Sequence, residues 1–403
     1  MATDRGGDGR RQTGESFVFV HEHWQKLRHA AVRNFRLRSG TLPTDDGHIE
    51  YVAGEDYDID EAAGAVRRLP GSRIPNGAEH ALYGATNFDH NRYADYSNKR
   101  FTVYGDYDYE ESIGDDAYAE GSDPSGVGVA RLDRTIGKLS RGEKVRYVVF
   151  GDSISCGGEA SREAFGYANL FADELRTLYP NGEVEVVNKS VGGEASTGAL
   201  ARLDRDVIAL NPDLVSIGYG MNDHCRMGEA VRNGVPPAVF ERNIRDMIAA
   251  IGARTSAELV LITPCESNPL WMHSSGDLAV YADILKRIGR ERGIAVADVH
   301  GLWLQELRAG KSHESLLLNN INHPNDYGHR IYFNAMRRLV APPKRDAGPF
   351  RIHTLKVNGS TAPLGVDGRD IRFAWQRTRL NWLQIIHMIV RRWQDAVNKR
   401  TFC

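Results

Sequence analysis

Beyond Lys144 the chain alternates short apolar runs with stretches of roughly fifteen residues whose apolar positions recur at helical spacing. Five runs read as strands, at 145–150, 184–188, 214–219, 259–263 and 294–299. Between them, 163–178, 197–210, 237–254 and 277–292 read as helices, and 327–339 as a closing one. Strands that alternate with helices predict a parallel sheet with crossover helices. In open sheets of that kind the ligand lies beyond the carboxyl ends of the strands.

The earlier part of the chain has a different texture. From 17 to 139 it is rich in Tyr, Asp and Gly, with short extended pieces at 48–52 and 101–104 and closely spaced turn signals such as Pro70-Gly71 and Pro75-Asn76-Gly77. This predicts a β-rich, sandwich-like accessory domain, with 114–128 as an exposed loop or hinge. Residues 1–16 are polar and glycine-rich and are expected to be disordered. The α/β unit is expected over 140–343 and a C-terminal appendage over 344–403. Within the appendage, Leu383, Ile386, Ile389, Val390 and Trp393 have the spacing of an amphipathic helix.

Composition narrows the partners. The 403 residues carry 51 basic and 53 acidic side chains, a balance that offers no electrostatic case for nucleic acid or an anionic membrane. A small neutral or mixed-charge ligand fits better. No run of about eighteen apolar residues is present, and the first sixteen residues lack the apolar core of a secretory signal, so a cytoplasmic location is expected. Cys156, Cys225, Cys265 and Cys403 have no metal-ligand spacing, which suits a reduced setting and implies neither metal nor cofactor. Cys156, three residues after Ser153, reads as a small packing or loop residue.

The candidate chemistry sits at the strand ends. The first strand ends in Gly151-Asp152-Ser153, and a lone serine there is more often a turn or cap. The second ends in Asn188-Lys189-Ser190-Val191-Gly192-Gly193, whose glycines permit close backbone approach, as a plain turn does. The third ends in Gly220-Met221-Asn222-Asp223, where Asn222 also suits a cap. His323-Pro324 precedes the last helix. Together these signals supply what acyl transfer requires: a hydroxyl nucleophile, a base and two kinds of oxyanion donor.

The ordered set Gly151-Asp152-Ser153, Gly193, Gly220-Met221-Asn222-Asp223 and His323-Pro324 resembles the four blocks of the SGNH, or GDSL, hydrolase family, over about residues 144–340. The resemblance implies a flavodoxin-like three-layer α/β/α domain with Ser153 as nucleophile and His323 as general base. It also implies an oxyanion hole of the Ser153 and Gly193 amides and the Asn222 side chain, with Asp152 and Asp223 in support. The family usually carries Asp three residues before the histidine, and here that residue is Asn320. Three arrangements follow: a Ser-His dyad oriented by Asn320 or a backbone carbonyl, a surrogate acid such as Glu314 or Asp326, or an inactive relic.

The expected activity is hydrolysis of short acyl esters, acetyl foremost, on carbohydrates. The loop 265–271, with Trp271, suits a sugar face or simple packing. A thioesterase or lysophospholipase keeps the same chemistry, and a non-catalytic carbohydrate-binding protein is the alternative of a different class. Separately, 355–359, 363–367 and 371–375 are similar to the opening strands of the N-terminal Ig-like domain of bacterial α-L-rhamnosidases. The tail then reads as a truncated fusion or a partner-dependent appendage, and only the fusion reading implies an esterase that works beside rhamnoside breakdown.

Overall fold

The computed structural model describes residues 10–109, 130–228 and 232–340, and the backbone of 355–357 and 360–362. The 114–128 loop and the helix at 380–397 lie outside the described residues. So does most of the rhamnosidase-like stretch, although Leu355–Val357 and Ser360–Ala362 pair as antiparallel strands. By contacts, Met1–Ala341 is one unit and Pro342–Cys403 a second.

The first unit begins with two antiparallel sheets. One, in the order β1-β7-β3-β4, joins Arg10–Val18 (β1), Thr102–Tyr109 (β7), Val32–Arg38 (β3) and Glu50–Tyr51 (β4). The other, in the order β2-β6-β5, joins Gln25–Lys26 (β2), Ala65–Arg68 (β6) and Tyr57–Asp60 (β5). Phe17, Phe19, Phe35, Leu37, Tyr57, Val66, Val103 and Tyr107 form their shared core. The tail expected to be disordered through residue 16 is therefore a strand from Arg10 onward. Its pairing with β7, ninety residues later, satisfies the backbone groups of a polar stretch that has no local signal.

The α/β unit is a five-stranded parallel sheet in the order β12-β11-β10-β8-β9, built from Ala295–Ala297, Glu258–Ile262, Leu214–Gly218, Lys144–Gly151 and Glu183–Asn188. Renumbered along the chain this is the flavodoxin-like order 2-1-3-4-5, whose switch point falls between β8 and β10. Alternate residues of β8 face opposite cores: Tyr147 and Val149 pack on one side, Val148 and Phe150 on the other. Burial on both faces is why the strands read as continuous apolar runs.

All five strands and five helices fall where the periodicity puts them: Tyr167–Leu178 (α2), Ser196–Asp206 (α3), Pro237–Arg254 (α4), Leu278–Arg292 (α5) and Asp326–Arg337 (α8). Three short helices are additional: Asp133–Ser140 (α1), Val299–Arg308 (α6) and His313–Leu316 (α7). Leu132 and Leu139, at the two ends of α1, pack into the same core as the sheet, so the change of texture at residue 140 is not a break in packing.

The two halves are joined by buried polar bonds. Lys311 Nζ meets Glu15 Oε1 at 2.5 Å, with the two side chains 2% and 0% exposed. The Glu15 carboxylate also accepts from Tyr107 Oη and from the Arg28 amide. Ser16 Oγ donates to the Ser315 carbonyl, and Arg330 donates to the carbonyls of Thr13 and Gly14. The β-rich half is thus bolted to α7 and α8, the helices on either side of His323.

Candidate active site

Ser153 sits in the turn that leaves β8. Asp152 Oδ1 accepts from the Ile154 amide at 3.0 Å, and the Ser153 carbonyl accepts from the Gly158 amide at 2.9 Å. These bonds fix a tight turn and leave the Ser153 amide without an acceptor among the described residues. Asp152 is buried, which pushes its carboxyl up to about 7, and the neighbouring Asp223 adds to the rise.

The loop after β9 is tied to this turn. Asn188 Nδ2 donates to the Ser155 carbonyl at 2.9 Å, while the Val191 amide donates to the Gly151 carbonyl at 2.9 Å. Gly193 follows with φ +73, a conformation that costs a side-chain-bearing residue strain. Its amide, too, has no acceptor among the described residues.

Asn222 lies in the loop after β10 and donates through Nδ2 to the Glu194 carbonyl at 3.0 Å. An amide nitrogen carries two hydrogens, so one remains for a ligand. Asp223 is fully buried, accepting from the Ser196 amide at 2.9 Å and the Gly220 amide at 3.1 Å. It therefore locks the β10 loop to the start of α3, and burial pushes its carboxyl up to about 6. Below Gly193 lies a group that the sequence reading missed. The Glu194 carboxylate is gripped by Arg202 and accepts from Tyr219 Oη at 2.8 Å, and Arg202 in turn donates to the Lys189 carbonyl at 2.6 Å.

His323 faces Ser153 with Nε2 2.7 Å from Oγ. For Oγ to donate to Nε2, the neutral ring must carry its proton on Nδ1. Among the described residues Nδ1 has no hydrogen-bond partner. Asn320 is buried nearby with φ +58, but its Oδ1 accepts from Asn268 Nδ2 at 3.0 Å. Neither surrogate acid reaches the ring. Asp326 accepts from Ser161 N and Oγ at 2.8 and 2.6 Å, and Glu314 presents its backbone carbonyl to Asn98. Of the expected group, Ser153 and His323 are in hydrogen-bond contact, Gly193 and Asn222 stand in the loops that follow β9 and β10, and Asn320 is turned to another partner.

Backbone and packing hold the imidazole instead. Asn319 Oδ1 accepts from the His323 amide at 2.9 Å and from the amides of Ile321 and Asn322 at 3.0 Å, and the His323 carbonyl accepts from the Leu318 amide at 2.9 Å. Gly158 abuts the ring. A Cβ at that position would come within 3.3 Å of His323 Nδ1 and Cε1 and 2.8 Å of the Ser153 carbonyl oxygen. His329 Nε2 donates to the Gly158 carbonyl at 3.0 Å and completes that support. Burial, reinforced by His329, pushes the His323 imidazolium down to about 4, so the ring is a neutral acceptor at ordinary pH.

Trp271 is 8% exposed and packs with Leu82, Phe88 and Ile321, so it is a packing residue and presents no open sugar platform. Asp89, His90 and His273 place one potential ligand atom each within 4.8 Å of one another, a grouping invisible in the sequence. Nδ1 of His90 accepts from Trp271 Nε1 at 3.1 Å, so the neutral ring keeps its proton on Nε2 and has no spare lone pair for a metal.

A hydroxyl against a neutral imidazole, at a sheet switch point and with the Ser153 and Gly193 amides lacking an acceptor among the described residues, is an arrangement that suits acyl transfer through a serine. Residues 149–331 match the model of the GDSL-like lipase/acylhydrolase family, and that match together with two esterase relatives supports a carboxylic ester hydrolase. An acetylxylan esterase from Geobacillus stearothermophilus is 28% identical over 219 residues, spanning 50% of this chain and 96% of the relative. An arylesterase from Vibrio mimicus is 35% identical over 106 residues, 26% of this chain and 48% of that protein. The crystal structure of Axe2, an acetylxylan esterase from Geobacillus stearothermophilus, aligns at 25% identity with a TM-score of 0.42, covering 49% of this chain and 94% of the other. Among the described residues no helix is long and apolar enough to cross a membrane.

Proposed function

We propose that the protein is a serine esterase that removes short acyl groups, acetyl foremost, from carbohydrate hydroxyls. The observation that carries this reading is the 2.7 Å approach of Ser153 Oγ to His323 Nε2 at the β8/β10 switch point. His323 takes the Oγ proton as Oγ bonds to the ester carbonyl carbon. The amides of Ser153 and Gly193 and the second hydrogen of Asn222 Nδ2 hold the resulting oxyanion. Collapse breaks the bond to the sugar oxygen, which leaves with the proton from His323. Water, deprotonated by the same imidazole, then attacks the acyl-Ser153 carbonyl, and His323 returns the proton to Oγ as acetate departs.

Among the described residues none brings a carboxylate to the imidazole, so the reading is a Ser-His dyad. The acetylxylan esterase relative, similar along nearly its whole length, supports a carbohydrate ester as substrate. The test is turnover of p-nitrophenyl acetate and acetylated xylooligosaccharides by wild type and Ser153→Ala. Serine-dependent release of acetate is expected from both substrates. Equal rates from the two proteins would remove the serine mechanism, and activity that rises from butyrate to decanoate esters would replace the substrate class.

A further inference from the structure

The clearest unexplained feature outside the site is a wholly buried asparagine of the β-rich half. Asn98 is 1% exposed, and all of its donors point across to the segment that carries His323. Its Nδ2 donates to the Leu317 carbonyl at 2.8 Å and the Glu314 carbonyl at 3.1 Å, and its amide donates to the Leu318 carbonyl at 2.7 Å. Ser97 Oγ adds a second bond to the Leu318 carbonyl at 3.1 Å. Leu318 then donates its amide to the His323 carbonyl, and Leu317 bridges antiparallel to Pro324. Only one residue separates Asn98 from the backbone of His323.

The same stretch of chain supports the other wall of the loop. The Phe88 amide donates to the Leu270 carbonyl at 2.9 Å, the Met272 amide returns a bond to the Phe88 carbonyl at 3.0 Å, and the Asn268 amide donates to the Ile321 carbonyl at 2.7 Å. Phe88 also packs against Ile321. Residues 88–98 therefore grip the His323 loop on two sides. A protein with a carboxylate behind its imidazole can tolerate a looser loop, because the anion pulls the ring into line. Here Asn320 is committed to Asn268, so ring placement depends on how firmly the backbone of the loop is held.

We propose that Asn98 is a positioning residue for His323, and that the β-rich half is an integral part of the esterase site. The inference rests on the reading of His323 as the general base. Loss of the Asn98 donors lets the 317–324 bridge shift and moves Nε2 off the Ser153 hydroxyl. Misplacement by about 1 Å costs on the order of 10²-fold in rate.

The test uses the full chain. Asn98→Ala and the isosteric Asn98→Asp, which cannot donate to the two carbonyls, are compared with wild type and Ser153→Ala on p-nitrophenyl acetate. Folded protein is quantified by circular dichroism. The expected result is a fall of about 10- to 100-fold in kcat per folded molecule with KM within about twofold, since Asn98 touches no substrate. Wild-type kcat in either folded variant overturns the proposal. If both fail to fold, Ser97→Ala decides: a fall in kcat of twofold or more at constant KM supports the role, and an unchanged kcat overturns it. A Ser153→Ala protein as active as wild type would instead remove the esterase mechanism itself, a result distinct from any Asn98 outcome.

Discussion

Asn268 donates its side-chain amide to both the backbone carbonyl and the Oδ1 of Asn320, at 3.0 Å each. The residue that stands where related hydrolases carry their acid is thus a structural member of the loop. Asn320→Ala is expected to keep hydrolysis within about tenfold of wild type, far from the roughly 10⁴-fold loss when a serine protease loses its triad carboxylate. Its stability should fall by about 1–2 kcal/mol, because a buried bond is lost and alanine is strained at φ +58. Steady-state kinetics and urea unfolding read the two effects separately.

The pH profile follows from the same arrangement. Burial lowers the His323 imidazolium to about 4 in the folded chain, against about 6.5 when exposed. The acid limb of kcat/KM is therefore expected near pH 4, with a plateau through neutrality. Asn320→Asp should move that limb upward, because a carboxylate on the same loop favours the imidazolium. Between about pH 4 and 6.5 the unfolded chain binds a proton that folded His323 refuses, so this residue makes stability rise with pH across that window. A limb at pH 6.5 in wild type would contradict the burial argument.

Asn222 lends one amide hydrogen to Glu194, and the proposed mechanism uses the other for the oxyanion. Asn222→Ala is expected to lower kcat by about 10² to 10³ with little change in KM. A change confined to KM would mean that Asn222 binds the substrate ground state instead.

Gly158 lies beside the imidazole, where a side chain would crowd the ring. Gly158→Ala would press a methyl to within 3.3 Å of the ring and closer still to the Ser153 carbonyl. We expect a loss of about tenfold or more in kcat with the fold retained. Full activity in this variant would show that the turn has room to relax.

Lys311 and Glu15 form a buried pair between the two halves. Lys311→Met alone leaves an uncompensated carboxylate and should cost about 3–5 kcal/mol in denaturant unfolding. Adding Glu15→Gln should recover much of that loss. A single variant as stable as wild type would show that the carboxylate finds another partner.

These outcomes bear on what a sequence discloses. The α/β core was readable because strands buried on both faces are uninterrupted apolar runs, and because the parallel topology delivers their ends to one rim, where Ser153, Gly193, Asn222 and His323 stand. The helix at 299–308 was not, since β12 is only three residues long and merges with it in any apolar pattern. The strand from Arg10 was missed because its partner lies in β7 and its own residues are polar. Asn98, Asn268 and Glu194 carry no local signal at all: two of them act on groups more than fifty residues away, and an asparagine with satisfied donors looks like any other in the sequence. Trp271 shows the converse, an aromatic in a suggestive loop that the fold uses for packing.

Whether Ser153 is the nucleophile is read by mass mapping of a fluorophosphonate adduct on the native chain. One covalent adduct is expected, on Ser153, formed rapidly in wild type and Asn320→Ala and lost in His323→Ala. No adduct in wild type, or an adduct on another residue, would contradict it.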